Sequence, residues 1–404
     1  MIKFALRRNL IYVLQCIIWS FLRNLLVMLM NMFFSFSRSY MFTQLMFLGE
    51  FLAGLIMYFS QRKYNQKKRE ENKEEYFMSI KLIKTEEDET DYFVPLDSKP
   101  KILFLIAFIS FMDIAQFTMC HIYLPKFFNI SKSLLQRLFG FGTIFSLFFY
   151  VYALKLPIYK HHKFSILIIS ICLIAIIVSE FFFQHFDIFT SYTNISITFT
   201  FIILSQILTS SSFSLEKHLF EYDYMNPFVV LMYEGFFGFF LSFLFLFDDN
   251  YFKDFSRLYK KIKINRFALF IFLLIVYTIL SGCKNLFRVV TTKIYSPMVT
   301  TLQDYVLNPI YLIYYYGALH DFHKNGKLDI PYFIVNIIIS LIISFFGCVY
   351  NEFIILFFCG LEVDTHDQVS KRATKMNENI TELMNFDEST ENVLNNDDDN
   401  SVLK

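Results

Sequence analysis

Eight ionisable side chains stand within or just inside long apolar runs: Glu50, Asp113, Glu234 and Asp304 against Arg23, Arg137, Lys284 and Arg288. A lone charge at the centre of a lipid-embedded helix costs about 3 kcal/mol, so such groups persist where they are paired or line a polar path. Four carboxylates against four cations predict ion pairs buried between helices. Lys284 and Arg288 are four residues apart and share one helix face, which suits an anionic solute. Thr300 and Gln303 flank Asp304 and supply neutral hydrogen bonds, as do Thr301 and Gln136. A buried carboxyl at Glu50 or Glu234 is suited to carrying a coupled proton. The expected translocation path is therefore Glu50, Asp113, Arg137, Glu234, Lys284, Arg288, Thr300, Gln303 and Asp304. Arg23 lies nearer the outer end of its run and is expected to snorkel or pack.

Bond-breaking chemistry finds no comparable set. There is no GxxxxGK[ST] loop, no GxSxG and no HExxH, so no catalytic residue is expected and the chain is not read as an enzyme. The six cysteines are scattered singly, which supports neither zinc ligation nor a disulfide framework. His161-His162 and His320/His323 fall in loops without acidic or histidine partners in the same run; no metal and no cofactor are expected. Glu216 and Lys217 close an apolar run and are expected to be solvated or to cap neighbouring helices.

The elements that must position the charges are helices. The chain has 404 residues, 55% hydrophobic and 20% aromatic, with mean hydropathy +0.44. Its net charge of +1 gives no sign of a nucleic-acid partner. Ten runs reach the length needed to cross a bilayer: 9–33, 40–60, 101–124, 133–154, 163–184, 195–217, 227–247, 265–288, 297–318 and 331–358. They are too long for barrel strands and do not alternate, so the fold is expected to be all-α and polytopic. The first run follows a basic start but is too long for a signal-peptide core and is expected to remain as a span. Residues 61–100 read as a charged cytosolic loop and 360–404 as a disordered acidic tail, since neither holds enough apolar surface to fold. Lys3, Arg7, Arg8, the 61–73 cluster, Lys155, Lys160 and Lys163 share one side if the N-terminus is cytosolic. The basic loop 248–266 opposes that orientation, and the sequons at Asn129 and Asn194 agree with it.

The chain also resembles itself. "SLLQRLFG" (133–140) lies over "TTLQDYVL" (300–307), matching Arg137 with Asp304, and "GEFLAGLIMYF" lies over "YEGFFGFFLSF", matching Glu50 with Glu234. Spans 1–5 (residues 1–60 and 101–184) and 6–10 (185–359) then form two halves of five. Odd numbers of spans turn the second half upside down, the inverted-repeat plan of secondary transporters, with Arg137 and Asp304 as partners across the midline.

"LSQILTSSSFSLEKHLFEYDYMNPFVVLMYEGFFGF" (204–239) resembles the sixth-to-seventh helix segment of solute carrier family 35, subfamily F, sixth-member type, within the drug/metabolite transporter superfamily. The matching places are Ser205-Gln206, Glu216-Lys217, Pro227, Glu234-Gly235 and Phe237-Gly238. "MFLGEF" (46–51), "LLQRLFG" and "IYSPMVTTLQDYVLNPIYLIYY" resemble further stretches of the pattern. It departs at Leu215, where the family carries a second glutamate, and in the first helix. The resemblance implies ten helices in a five-plus-five inverted repeat, cytosolic termini, and transport by alternating access in a lysosomal, vacuolar or other endomembrane. The expected function is secondary transport or exchange of a small polar or anionic metabolite, with the solute and the lipid bilayer as partners and a homodimer left open. The alternative is a non-transporting membrane scaffold that recruits partners through 61–100 and the acidic tail.

Overall fold

The computed structural model describes residues 2–4, 10–34, 40–76, 100–119, 141–152, 154–155, 158–183, 192–247, 264–295, 306–313, 323–324, 327–328, 330–357, 359–361, 363, 365, 368 and 371–372. Nine α-helices carry the described fold: α1 (Leu10–Phe34), α2 (Tyr40–Tyr76), α3 (Pro100–Phe117), α4 (Phe141–Tyr152), α5 (Lys160–Phe183), α6 (Tyr192–Glu221), α7 (Pro227–Leu241), α8 (Ile264–Ile294) and α9 (Ile330–Tyr350). Residues 306–313 are also helical. Seven of the described helices are long and apolar enough to cross a membrane: α1, α2, α3, α5, α7, α8 and α9. The architecture is all-α, and its surface fits a membrane-embedded chain. On α5, Leu167, Ile171, Ile174 and Val178 form an exposed apolar stripe at helical spacing. In water that face would carry charges. The opposite face, with Ile169, Leu173 and Ile176, packs into a core with Ile339 and Ile343 of α9.

Helix ends follow local chemistry. Asn226 caps α7, its side chain accepting from the Phe228 amide at 2.9 Å, and Pro227 occupies the first helical position, where its missing N–H costs nothing. The α-helix stops at Leu241 and continues as a 3₁₀ turn over Ser242–Phe247, within the expected seventh run. α9 stops at Tyr350, short of the expected 331–358 run. Glu352 takes a left-handed conformation (φ 58°), its amide bonds the Val349 carbonyl at 3.1 Å, and the Phe353 amide bonds Cys348 at 2.9 Å. This is the paired-bond helix stop that glycine normally supplies. The chain leaves it as strand β4 (Ile354–Leu356), which pairs antiparallel with β1 (Ile2–Phe4). A two-residue ribbon joins β2 (His323–Lys324) to β3 (Lys327–Leu328).

The expected loop at 61–100 begins instead as helix, because α2 runs on to Tyr76. "QRKYNQKKREENKEEY" is built almost wholly of strong helix formers with opposite charges at helical spacing, which sustains the helix beyond its apolar part. Residues 77–99 of that segment lie outside the described residues, as do 133–140 of the fourth run and 297–305 and 314–318 of the ninth. The acidic tail beyond 372 also lies outside them.

α2 is the central helix, packed against α7 on one side and α8 on the other. Glycine makes both crossings close. A Cβ on Gly54 would stand 2.6 Å from the Met232 nitrogen, and one on Gly235 would strike the Phe51 nitrogen and lie 2.8 Å from the Phe47 carbonyl. Gly49 and Gly282 play the same part between α2 and α8. Without water to drive association, such backbone approach is a main source of helix contact in a bilayer. Around this centre α1 packs on α8, α3 on α6 and α7, α4 on α6, and α5 on α9.

Candidate functional site

The α2–α7–α8 crossing gathers charged side chains into one cluster. Arg288, on α8, points its guanidinium at two carboxylates on different helices. One amino group donates to Glu216 of α6, and the other stands 3.3 and 3.5 Å from the Glu234 oxygens on α7. Arg288 is 4% exposed and both acids are 0% exposed. The Phe213 ring lies 5.1 Å from the guanidinium carbon and adds a cation–π contact. Thr291 and Thr292 bond the Arg288 carbonyl at 2.7 and 3.0 Å.

Helices α2 and α3 complete the set. Glu50, on α2, accepts a hydrogen bond from the Asn285 side-chain amide on α8, and its second oxygen makes no hydrogen bond. Asp113, on α3, accepts from the Ser212 hydroxyl of α6 at 2.7 Å. Ser110, one turn earlier on α3, bonds the Glu234 carbonyl at 2.9 Å. Arg288, Asp113, Glu216 and Lys284 all lie within electrostatic reach of Glu50. Lys284 sits one turn before Arg288 and is half-buried.

Glu50, Asp113, Glu234, Lys284 and Arg288 thus meet where α2 and α3 face α6, α7 and α8. Arg137, Thr300, Gln303 and Asp304 lie outside the described residues, and with them the anticipated Arg137–Asp304 pair. Arg23 is half-buried and donates to Asn24 at 3.3 Å; Asn24 in turn bonds the Tyr311 hydroxyl at 2.6 Å.

Glu216 corrects the reading of a solvated helix end, whereas Lys217 caps a neighbouring helix, the other expectation for this pair. Glu216 holds Arg288, while Lys217, 4% exposed, bonds the Lys293 carbonyl at 2.8 Å and Glu221 at 2.7 Å. The clue lay in the spacing: Ser205, Thr209, Ser212 and Glu216 fall on one face of α6. That polar stripe turns inward against α3, α4 and α8. His161 and His162 need correcting too. They open α5 rather than lie in a loop, and Glu352 stands beside them.

Chemically, the site can hold and exchange charge. A guanidinium shared by two carboxylates can release one to keep the other, and a carboxyl bonded to a neutral amide can gain or lose a proton without losing its contact. Compared with known proteins, the chain matches no family model and no curated sequence.

Proposed function

We propose that the chain is a multi-pass secondary transporter that moves a small polar metabolite across an endomembrane by alternating access. The observation that carries this reading is Arg288 held between Glu216 and Glu234, with Glu50 and Asp113 facing it from α2 and α3. Intramembrane charges gathered at a helix crossing mark a solute or ion path.

The packing supports the five-plus-five plan. Count 306–313 as the ninth crossing and α9 as the tenth, and exchange each helix with the one five crossings away. The α1–α8 contact then maps onto α3–α6, α2–α8 onto α3–α7, and α2–α7 and α5–α9 each onto themselves. α4–α6 maps onto the meeting of 306–313 with α1, where Ile17 and Phe21 join the cluster that holds Leu307 and Tyr311 and where Asn24 bonds the Tyr311 hydroxyl. A pseudo-two-fold axis in the membrane plane produces such a pattern, although among the described residues the α7–α8 and α6–α8 contacts have no counterpart of similar extent between α2 and α3 or α1 and α3.

Among the described residues of the site, the carboxylates of Glu50, Asp113, Glu216 and Glu234 outnumber the cations of Lys284 and Arg288. This balance favours a coupled proton or a cationic group on the solute over a bare anion. Glu50, whose partner is an amide, is the proton position. The resemblance at 204–239 to a drug/metabolite transporter supports the same class.

Metabolite profiling of the host organelle with and without the protein, followed by uptake of the altered compounds into proteoliposomes, tests the reading. Accumulation should require the parent chain and collapse in Arg288→Gln when the two are reconstituted at equal amounts of folded protein. Indistinguishable profiles, or uptake indifferent to Arg288→Gln, reject it.

A further inference from the structure

We propose that His161, His162 and Glu352 form a binding site for a zinc-class divalent cation that clips the start of α5 to the end of α9. One ligand atom from each residue lies within 4.8 Å of the other two. His161 is 3% exposed, and neither of its ring nitrogens makes a hydrogen bond. Its Nε2 has Glu352 within ion-pair distance, and a buried imidazole with no hydrogen bond at either nitrogen is open to a ligand or ion.

The separation of His161 and Glu352 is one that two ligands around a metal would have. His161 Nε2 stands 3.3 Å from Glu352 Oε1 without hydrogen bonding to it. Two ligands on a tetrahedral zinc, with bonds of about 2.0–2.1 Å, are about 3.3 Å apart. The His161 and His162 rings are 4.1 Å apart, edge to face. His162 Nδ1 accepts a long bond from the Tyr159 amide, at 3.4 Å, and a cation bound there would displace that weak bond.

The fold sets this geometry from both sides. His162 also packs against Tyr350, the last residue of α9, with ring centroids 4.5 Å apart. Glu352 occupies the left-handed position of the helix stop, where glycine would serve the turn better but offers no ligand. Two imidazoles and one carboxylate select zinc or a neighbouring divalent transition ion over calcium or magnesium, and three protein ligands leave a fourth position for water.

The test uses the purified full-length chain in detergent, dialysed against Zn²⁺ and then against metal-free buffer. The parent should retain about one Zn²⁺ per chain, and His161→Gln and Glu352→Gln should each lower the affinity about tenfold or more. The parent's thermal midpoint should rise with Zn²⁺ while the midpoints of both variants stay fixed. Equal retention in parent and variants overturns the proposal. If both variants misfold, Co²⁺ on the parent decides: intense visible bands of a tetrahedral site support it, and their absence overturns it.

Discussion

Arg288 on α8 and Glu234 on α7 approach to 3.3 Å with both side chains shielded, and the same guanidinium holds Glu216 on α6. Three helices therefore meet through one cation. In a low-dielectric interior this arrangement is strong while complete and costly when any member is removed.

Arg288→Gln leaves two buried carboxylates facing each other. It should lower stability by about 3–5 kcal/mol, read as thermal or denaturant unfolding in detergent. The triple neutral variant Glu216→Gln/Glu234→Gln/Arg288→Gln should recover most of that loss. A single variant as stable as the parent would show that the network holds nothing together.

Asp113 accepts from Ser212, and an asparagine oxygen can do the same. Asp113→Asn should therefore cost under about 1 kcal/mol, whereas Asp113→Ala leaves the hydroxyl stranded and should cost about 1–3 kcal/mol. If flux falls in Asp113→Asn while stability holds, the charge serves transport and not packing.

Glu50→Gln preserves a polar contact with Asn285 but cannot exchange a proton. Uptake into proteoliposomes should lose its dependence on an imposed pH gradient, with thermal stability close to the parent's. A gradient-driven rate equal to the parent's would move the proton elsewhere.

Gly54→Ala places a methyl 2.6 Å from the Met232 nitrogen and 2.8 Å from its Cα. Backbone cannot rotate away as a side chain can, so α2 and α7 must separate. The expected cost is about 1–3 kcal/mol in unfolding experiments.

Asn226 does two jobs, capping α7 and donating to Gln61 of α2 at 2.7 Å. Asn226→Ala should cost about 1 kcal/mol through the cap. Asn226→Asp should keep the cap and lose only the donor, so its unfolding midpoint should fall between those of parent and alanine variant.

Much of this was legible along the chain, where the signal was local. Apolar length marked the helices, and Glu50, Glu234, Lys284 and Arg288 stood out as charges in greasy surroundings. Gly54 and Gly238, one turn after Glu50 and Glu234, face the opposite helix, a role that only the packing of α2 on α7 reveals. Glu216 was misread because it stands beside Lys217 at the end of an apolar run, and only contact with α8 makes that end an interior. Glu352 could not be read at all. Its left-handed turn lacks the expected glycine, and His161 lies far away in sequence. The stretch up to Tyr76 shows the reverse error: the apolar run ends near residue 60, but α2 continues through charged helix formers.

The ribbon between Ile2–Phe4 and Ile354–Leu356 has a mechanical meaning. It ties the segment before α1 to the segment after α9, so on the proposed five-plus-five plan the two bundles would share a backbone seam along one rim. Rocking that kept this seam shut would swing them about it like the covers of a book about the spine.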